Sequence, residues 1–279
     1  MSPKAKRVLV NNIVLVFCVI CAIIGIAFLF WILFVLCYKG FSALNLNIFL
    51  NNVAPSFIPD GGLKNALIGQ AMLVACSSVI GIPIGILAGT YLCEYAGKSK
   101  LANFIRDVSD IMMSSPSIVI GAFVYAILVY PIKQFNGWAG IVALSIMMVP
   151  IVLRVTDDML SLVPQSQREA AAALGAPRYK VITGVVYRGA KAGILTGVLL
   201  SIARIGGETA PLLLTSFNNN FFSMNLNEPM PSLTVTMFQY ATSPYDSWIA
   251  LGWAAALILS IFVLGINIIG RLILRKKRK

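Results

Sequence analysis

Long apolar segments are the feature that most constrains this chain. They occur six times, at Val8–Cys37, Asn65–Cys93, Ile111–Tyr130, Trp138–Val155, Gly189–Thr215 and Trp248–Ile269. A helix of about 20 residues crosses the roughly 30 Å hydrocarbon core of a bilayer. The chain is 58% hydrophobic and only 11% charged, whereas about a quarter of the residues in soluble domains are charged. The sequence therefore predicts an all-α integral membrane protein with six transmembrane helices.

The positions of the basic residues predict how the chain is oriented. Lys and Arg number 17 in segments on the N-terminal side of the predicted membrane and 3 on the opposite side. Because Lys and Arg collect in cytoplasmic segments, both termini are predicted to be cytoplasmic. This distribution also accounts for the net charge of +12. We therefore predict the lipid bilayer as a partner, and no nucleic acid.

Hydropathy and charge divide the chain into three segments. Residues 1–64 hold the first helix and an outer loop, residues 65–271 hold a core of five further helices, and residues 272–279 form a basic cytoplasmic tail. A second outer loop, from Ser216 to Ser247, contains no Lys or Arg. Two interpretations of this loop stay open: it covers an outer entrance, or it is a tolerated surface loop.

Composition argues against several kinds of chemistry. The chain has no histidine, which removes His-based catalysis, His metal ligands and simple His pH switches. Its five cysteines lie in or beside apolar segments, which favours buried apolar side chains over metal or redox chemistry. It has no G-x-x-x-x-G-K-[ST] motif for ATP phosphates. We predict that this chain is not an enzyme and has no catalytic residue, no metal site and no bound cofactor.

A polar, alanine-rich segment lies between the fourth and fifth apolar segments, on the predicted cytoplasmic side. Its Ser166-Gln167-Arg168-Glu169 is typical of a capping box, and the alanines that follow are strong helix formers. We predict a helix of about two turns, a sharp bend at Gly175, and a second helix that begins near Pro177. The residues alone leave open whether Glu169 is only a helix cap or part of a docking surface.

The same segment resembles a known family motif. Glu169-Ala170-Ala171, with Gly175 four residues further on, looks like the EAA loop of bacterial ABC importer permeases. That resemblance implies a coupling helix that docks in a groove of an ATP-binding subunit. Members of the family often have a Leu-Pro pair after the loop, whereas this chain has Tyr187-Arg188.

Two further stretches resemble phosphate importer permeases of the PstA type. They are Ser201–Leu213, which includes Gly207-Glu208-Thr209-Ala210-Pro211, and Ser115–Gly121. The resemblance implies the type I ABC importer permease fold and import of inorganic phosphate across a bacterial inner membrane. It also implies an ABC ATPase dimer that binds ATP and Mg, a second permease of the PstC type, and an extracytoplasmic phosphate-binding protein.

Charged residues inside the predicted spans are candidates for a substrate pathway. On a continuous helix, Glu208 would follow Arg204 by one turn, about 6 Å away. The pair is either an anion gate, since a guanidinium suits an oxyanion, or a structural ion pair. Gly206-Gly207 allows close packing or a helix break between them.

Other pathway candidates are less specific. Arg154 either supplies net positive charge to the pathway or only snorkels at a helix end, with Asp157 or Asp158 as its partner. Thr209 and Ser115, with Ser114 and Ser117, either donate hydrogen bonds to a passing oxyanion or bond to their own helix.

Alternatives to phosphate import remain. Sulfate and molybdate permeases share the coupling loop, and Arg204 would suit any of these oxyanions. From different classes, the alternatives are a lipid-linked transferase, for which Asp157 and Asp158 are the only adjacent carboxylates, and a proton-coupled secondary transporter, for which Glu208 would carry the proton.

Overall fold

The computed structural model describes residues 3–55, 61–97 and 99–276, and over these residues the chain is helical, with no strand. Three helices continue as short π-helical segments: Tyr91–Ala96 after α3, Tyr125–Val129 after α5 and Ile182–Val186 after α9. In chain order the helices are α1 (Pro3–Ala43), α2 (Asn47–Leu50), α3 (Lys64–Thr90), α4 (Lys100–Ser114), α5 (Ser117–Val124), α6 (Tyr130–Ile132), α7 (Gly137–Ser161), α8 (Gln165–Ala173), α9 (Arg178–Val181), α10 (Tyr187–Ile205), α11 (Ala210–Thr215), α12 (Leu233–Ala241) and α13 (Asp246–Lys276).

Five helical stretches of the described chain are long and apolar enough to cross a membrane: Lys6–Ala43, Lys64–Ala96, Gly137–Ser161, Arg178–Ile205 and Asp246–Gly270. A sixth is reached only if α4 and the stretch Ser117–Ile132, bent by 104° from each other, are counted as one span. The continuous third span predicted over Ile111–Tyr130 is therefore wrong. Pro116 explains the break, because proline disfavours helical backbone at the preceding residue, and Ser115 is extended at φ −68° and ψ 140°.

The centre of the molecule is the pair α3 and α7. Gly85 and Gly89 of α3 lie so close to α7 that an added Cβ would meet Val152 Cβ at 2.6 Å and the Leu153 carbonyl oxygen at 2.5 Å, respectively. Small residues let membrane helices approach in this way, and dispersion contacts then hold them together. The buried apolar cluster around this contact comprises Leu73, Val74, Ile141, Leu144, Met148, Val152, Ile205, Leu212, Met230 and Val235.

The fifth predicted span, Gly189–Thr215, is not one helix. Helix α10 ends at Ile205, and the chain forms a turn through residues 206–209 before α11 begins. Gln70 of α3, only 5% exposed, donates from Nε2 to the Gly206 carbonyl oxygen at 3.0 Å, and its Oε1 accepts from the Leu233 backbone N–H at 3.1 Å. Thr234 Oγ1 donates to the Glu208 carbonyl oxygen at 2.8 Å. Irregular backbone inside a membrane requires such hydrogen-bond partners, so side chains of α3 and α12 stabilise the break.

The first helix extends away from the rest of the chain. The apolar side chains of α1 from Val8 to Phe34 are largely exposed, and its C-terminal end packs on α13, where Gly40 lies against Leu257 and Trp253. The three-segment division at residues 64 and 271 remains a prediction. Residues 277–279 of the predicted tail and residues 56–60 of the first outer loop lie outside the described part of the chain.

The buried Gln70 amide generates a stability prediction. Gln70→Leu keeps the side-chain volume but leaves the Gly206 carbonyl and the Leu233 N–H without partners, which costs about 1–3 kcal/mol for each buried group. We expect a lower Tm of the purified protein in detergent. Gln134→Leu, the same change at an exposed position, is the control and should leave the Tm near wild type. An unchanged Tm for Gln70→Leu would contradict a stabilising role for the two Gln70 hydrogen bonds.

Candidate functional site

The exposed helix between the fourth and fifth predicted spans is α8, which begins two residues earlier than the sequence predicts. The predicted capping box at Ser166 is wrong. Pro164 holds the N-cap position at φ −56° and ψ 140°, without a side-chain cap, and Gln165 is the first helical residue. Ser166 therefore lies inside the helix. Proline replaces the cap because its fixed φ presets the helical turn and it has no N–H to satisfy.

The C-terminal end of α8 matches the prediction. Gly175 has φ +76°, a left-handed conformation that glycine adopts without strain. The Gly175 N–H donates to the Ala172 carbonyl at 2.9 Å, and the Ala176 N–H donates to the Ala171 carbonyl at 3.3 Å. These two bonds are the Schellman closure of a helix. The second helix, from Arg178, continues without interruption to Ile205, so the bend joins α8 directly to the fifth span.

The exposed residues of α8 are uncharged apart from Glu169. Ala170, Ala172 and Ala173 are exposed, and the Leu174 side chain at the bend is 89% exposed. Ala171 turns inward onto an apolar cluster that includes Val181 and Val186. A row of small and apolar side chains on a short rigid helix is suited to insertion in a groove of another protein.

Two arginines hold the inner side of this helix to the end of α3, a contact that sequence reasoning missed. Arg168 forms an ion pair with Glu94 and donates to the Leu160 carbonyl oxygen at 2.6 Å. Arg178 donates to the Glu94 carbonyl oxygen and lies over the Tyr95 ring at 4.7 Å. A cleft of about 470 Å³ lies between these segments. In the sequence, only the single glutamate Glu94 at the end of an apolar segment indicated such a contact, and its partner could not be predicted from spacing.

Arg204 and Glu208 are not paired. The predicted one-turn spacing is wrong, because α10 ends at Ile205 between them. Arg204 is exposed in the last turn of α10, and Glu208 is half-buried in the turn. Among the residues that the structure describes, neither side chain has an ion pair or a hydrogen bond. Arg204 therefore presents a free guanidinium beside a break in the span, where the negative end of the helix dipole favours a cation.

Arg154 is neutralised by carboxylates. Its guanidinium lies 3.6 Å from Asp110 and 3.4 Å from Asp158. Asp157 instead pairs with Arg106, at 2.7 Å from Arg106 Nε. The net positive charge predicted for Arg154 is therefore offset. Asp157 and Asp158 therefore have separate arginine partners.

Ser114 and Ser115 follow the structural alternative, because each hydroxyl bonds to its own helix. Ser115 Oγ and Ser114 Oγ both donate to the Ile111 carbonyl oxygen at 2.9 Å. Thr209 is half-buried at the start of α11 and forms no side-chain cap. The structure brings Thr209 and Glu208 into the same turn beside Arg204, whereas Ser115 lies at the separate break between α4 and α5.

Solved structures with this fold are transporter subunits. A chain from inward-facing conformations of the MetNI methionine ABC transporter matches with a TM-score of 0.59 at 20% identity, covering 77% of this chain and 94% of that one. A chain of a bacterial ABC transporter involved in the import of the acidic polysaccharide alginate matches with a TM-score of 0.68 at 13% identity, over 100% of both. The fold is that of type I ABC importer permeases.

Sequence comparison gives the family. Residues 81–279 match the model of the binding-protein-dependent transport system inner membrane components. A phosphate transport system permease protein PstA of Pasteurella multocida is 49% identical over 98% of this chain and 97% of its own length. That of Haemophilus influenzae is 50% identical over 96% and 95%. The chain belongs to the binding-protein-dependent transport system inner membrane components and, among them, to the PstA permeases.

The backbone at Gly175 generates a second prediction. An added Cβ would meet no atom within 4 Å at Gly175 or at Gly184, but only Gly175 has a positive φ. Gly175→Ala should therefore cost about 1–2 kcal/mol through backbone strain alone, whereas Gly184→Ala should not. We expect trypsin to cleave Gly175→Ala between Arg168 and Lys180 at least about five times faster than the wild type. The reason is that the strain raises the population of molecules in which this bend is locally unfolded. Equal cleavage rates in the two variants would contradict the assignment of the helix end.

Proposed function

We propose that this chain is the transmembrane permease subunit of an ATP-driven importer that moves inorganic phosphate into the cytoplasm. Near full-length similarity to proteins named as phosphate transport system permeases supports the substrate. The proposed location is a bacterial inner membrane, with both termini in the cytoplasm. The 17 to 3 distribution of Lys and Arg supports that orientation.

The energy source in this proposal is a separate ABC ATPase dimer that binds ATP and Mg. The segment Glu169–Gly175, which holds Ala170 and Ala171, docks on one ATPase subunit and transmits its closure to the spans as a rigid-body switch. Two features support this role: α8 is exposed and ends in a hydrogen-bonded turn at Gly175, and it is connected directly to the fifth span. A second, PstC-type permease completes the pathway, and an extracytoplasmic phosphate-binding protein delivers the substrate.

The observation that carries the anion pathway is the unpaired Arg204 guanidinium. A planar fork of N–H donors fits a tetrahedral oxyanion, and a charged residue in a span is retained where it faces a cavity or a partner helix. Glu208 and Thr209, in the adjoining turn, contribute a carboxylate that limits over-tight anion binding and a hydroxyl donor. Arg154, balanced by Asp110 and Asp158, and Ser115, bonded to its own helix, have secondary roles at most.

A related oxyanion is the competing substrate. The chemistry of Arg204 suits sulfate and molybdate as well as phosphate, because all three are tetrahedral oxyanions of similar size. The resemblance of Gly207–Pro211 to phosphate importer permeases and the names of the relatives favour phosphate.

Arg204→Gln tests the pathway in proteoliposomes that contain the assembled transporter. Loss of a charge-assisted contact should lower the initial rate of labelled phosphate uptake at least about tenfold, with normal assembly. Arg188→Gln makes the same change on the same helix, at an exposed position with no ion pair among the described residues. It should retain uptake. Near wild-type uptake by Arg204→Gln would assign Arg204 a structural role only.

A further inference from the structure

The C-terminal end of α3 contains a buried charge that the proposed transport mechanism does not use. The Glu94 side chain is 8% exposed and its ion-pair partner, Arg168, is 16% exposed. Glu94 lies in the π-helical segment Tyr91–Ala96, and such segments are rare and often mark functional sites. A buried charge is costly unless it is paired, so Glu94 and Arg168 depend on each other.

Both sides of the bend that follows α8 are fastened to this segment. Before the bend, Arg168 pairs with the Glu94 side chain. After the bend, Arg178 donates to the Glu94 backbone oxygen and covers the Tyr95 ring. A movement of α8 and of the bend therefore acts on the end of α3 at two points. The Arg168 contact is an ion pair between two charged side chains, whereas Arg178 bonds to a backbone carbonyl.

The opposite end of α3 reaches the break in the fifth span. Gln70 lies 24 residues before Glu94, about 36 Å along a helix. Its amide bonds to the Gly206 carbonyl, two residues after Arg204. The close glycine packing of α3 on α7 keeps this helix in register along its length. One helix therefore joins the segment that faces the ATPase in the proposed mechanism to the turn beside the proposed anion contact.

We propose that Glu94 is a positioning residue whose ion pair with Arg168 fastens the coupling helix α8 to α3. Through α3, the movement of α8 reaches Gln70 and the turn at residues 206–209. Without the ion pair, α8 still docks on the ATPase and stays joined to the fifth span, but its movement is passed less fully to α3, so less phosphate is carried for each ATP hydrolysed. This inference rests on the proposed function.

The test measures ATP hydrolysis and labelled phosphate uptake in the same proteoliposomes, with the complete transporter. Wild-type vesicles come first: if ATP drives no phosphate uptake in them, the proposed function fails before the ion pair is tested. Glu94→Ala and Arg168→Ala should each hydrolyse ATP while the phosphate taken up per ATP falls at least about tenfold. The double variant should be no worse than Arg168→Ala, because that single change already removes the ion pair together with the Leu160 contact.

Asp107→Ala is the matched control. Asp107 is an exposed carboxylate on α4 without an ion pair among the described residues, and the variant should keep the wild-type uptake per ATP. If a single variant fails to assemble because one buried charge is left unpaired, the double variant, which removes both charges, supplies the answer. A wild-type ratio in Glu94→Ala or in the double variant, or independent and multiplicative losses, would overturn the proposal.

Discussion

The paired hydrogen bonds of the buried Gln70 amide stabilise the break in the fifth span, on which the proposed anion contact depends. A bilayer offers no water to backbone polar groups, so a break inside a span is stable only where other protein groups bond to it. Gln70 bonds to the Gly206 carbonyl and to the start of α12, and Thr234 bonds to the Glu208 carbonyl. These contacts leave Arg204 at the end of α10 with its guanidinium free, which is the property an oxyanion contact needs.

The cytoplasmic end of α3 is organised around ionic contacts instead. Arg168 and Arg178 approach it from the two sides of the α8 bend, and Arg106 of α4 bonds to the Leu92 carbonyl at 3.2 Å while it pairs with Asp157. Thr90 and Tyr187 share a hydrogen bond of 2.6 Å that adds α10 to the same junction. Six helices (α3, α4, α7, α8, α9 and α10) therefore meet at the junction that faces the ATPase in the proposed mechanism, and α3 leads from that junction to Gln70.

Features encoded locally were predictable from the sequence, and features made by distant residues were not. Apolar length predicted the first, second, fourth and sixth spans, which are continuous helices. Gly175 predicted the end of α8, because a positive φ is a local property. The break at Ser115 also had a local signal, Pro116, which apolar length outweighed. The partners Glu94–Arg168 and Gln70–Gly206 are separated by 74 and 136 residues, so no spacing rule reveals them. The predicted proximity of Arg204 and Glu208 was wrong because it required a continuous helix, whereas the helix ends at Ile205, before Gly206 and Gly207.

The central claim is that this chain carries phosphate, and it is tested most directly by uptake of labelled phosphate and, in parallel, labelled sulfate at micromolar concentration. Cells with and without the gene are compared, in a background that lacks other uptake systems for either anion. The account predicts that loss of the gene abolishes phosphate uptake and leaves sulfate uptake intact. Loss of sulfate uptake alone would keep the permease class and overturn the substrate, and unchanged uptake of both anions would contradict the account.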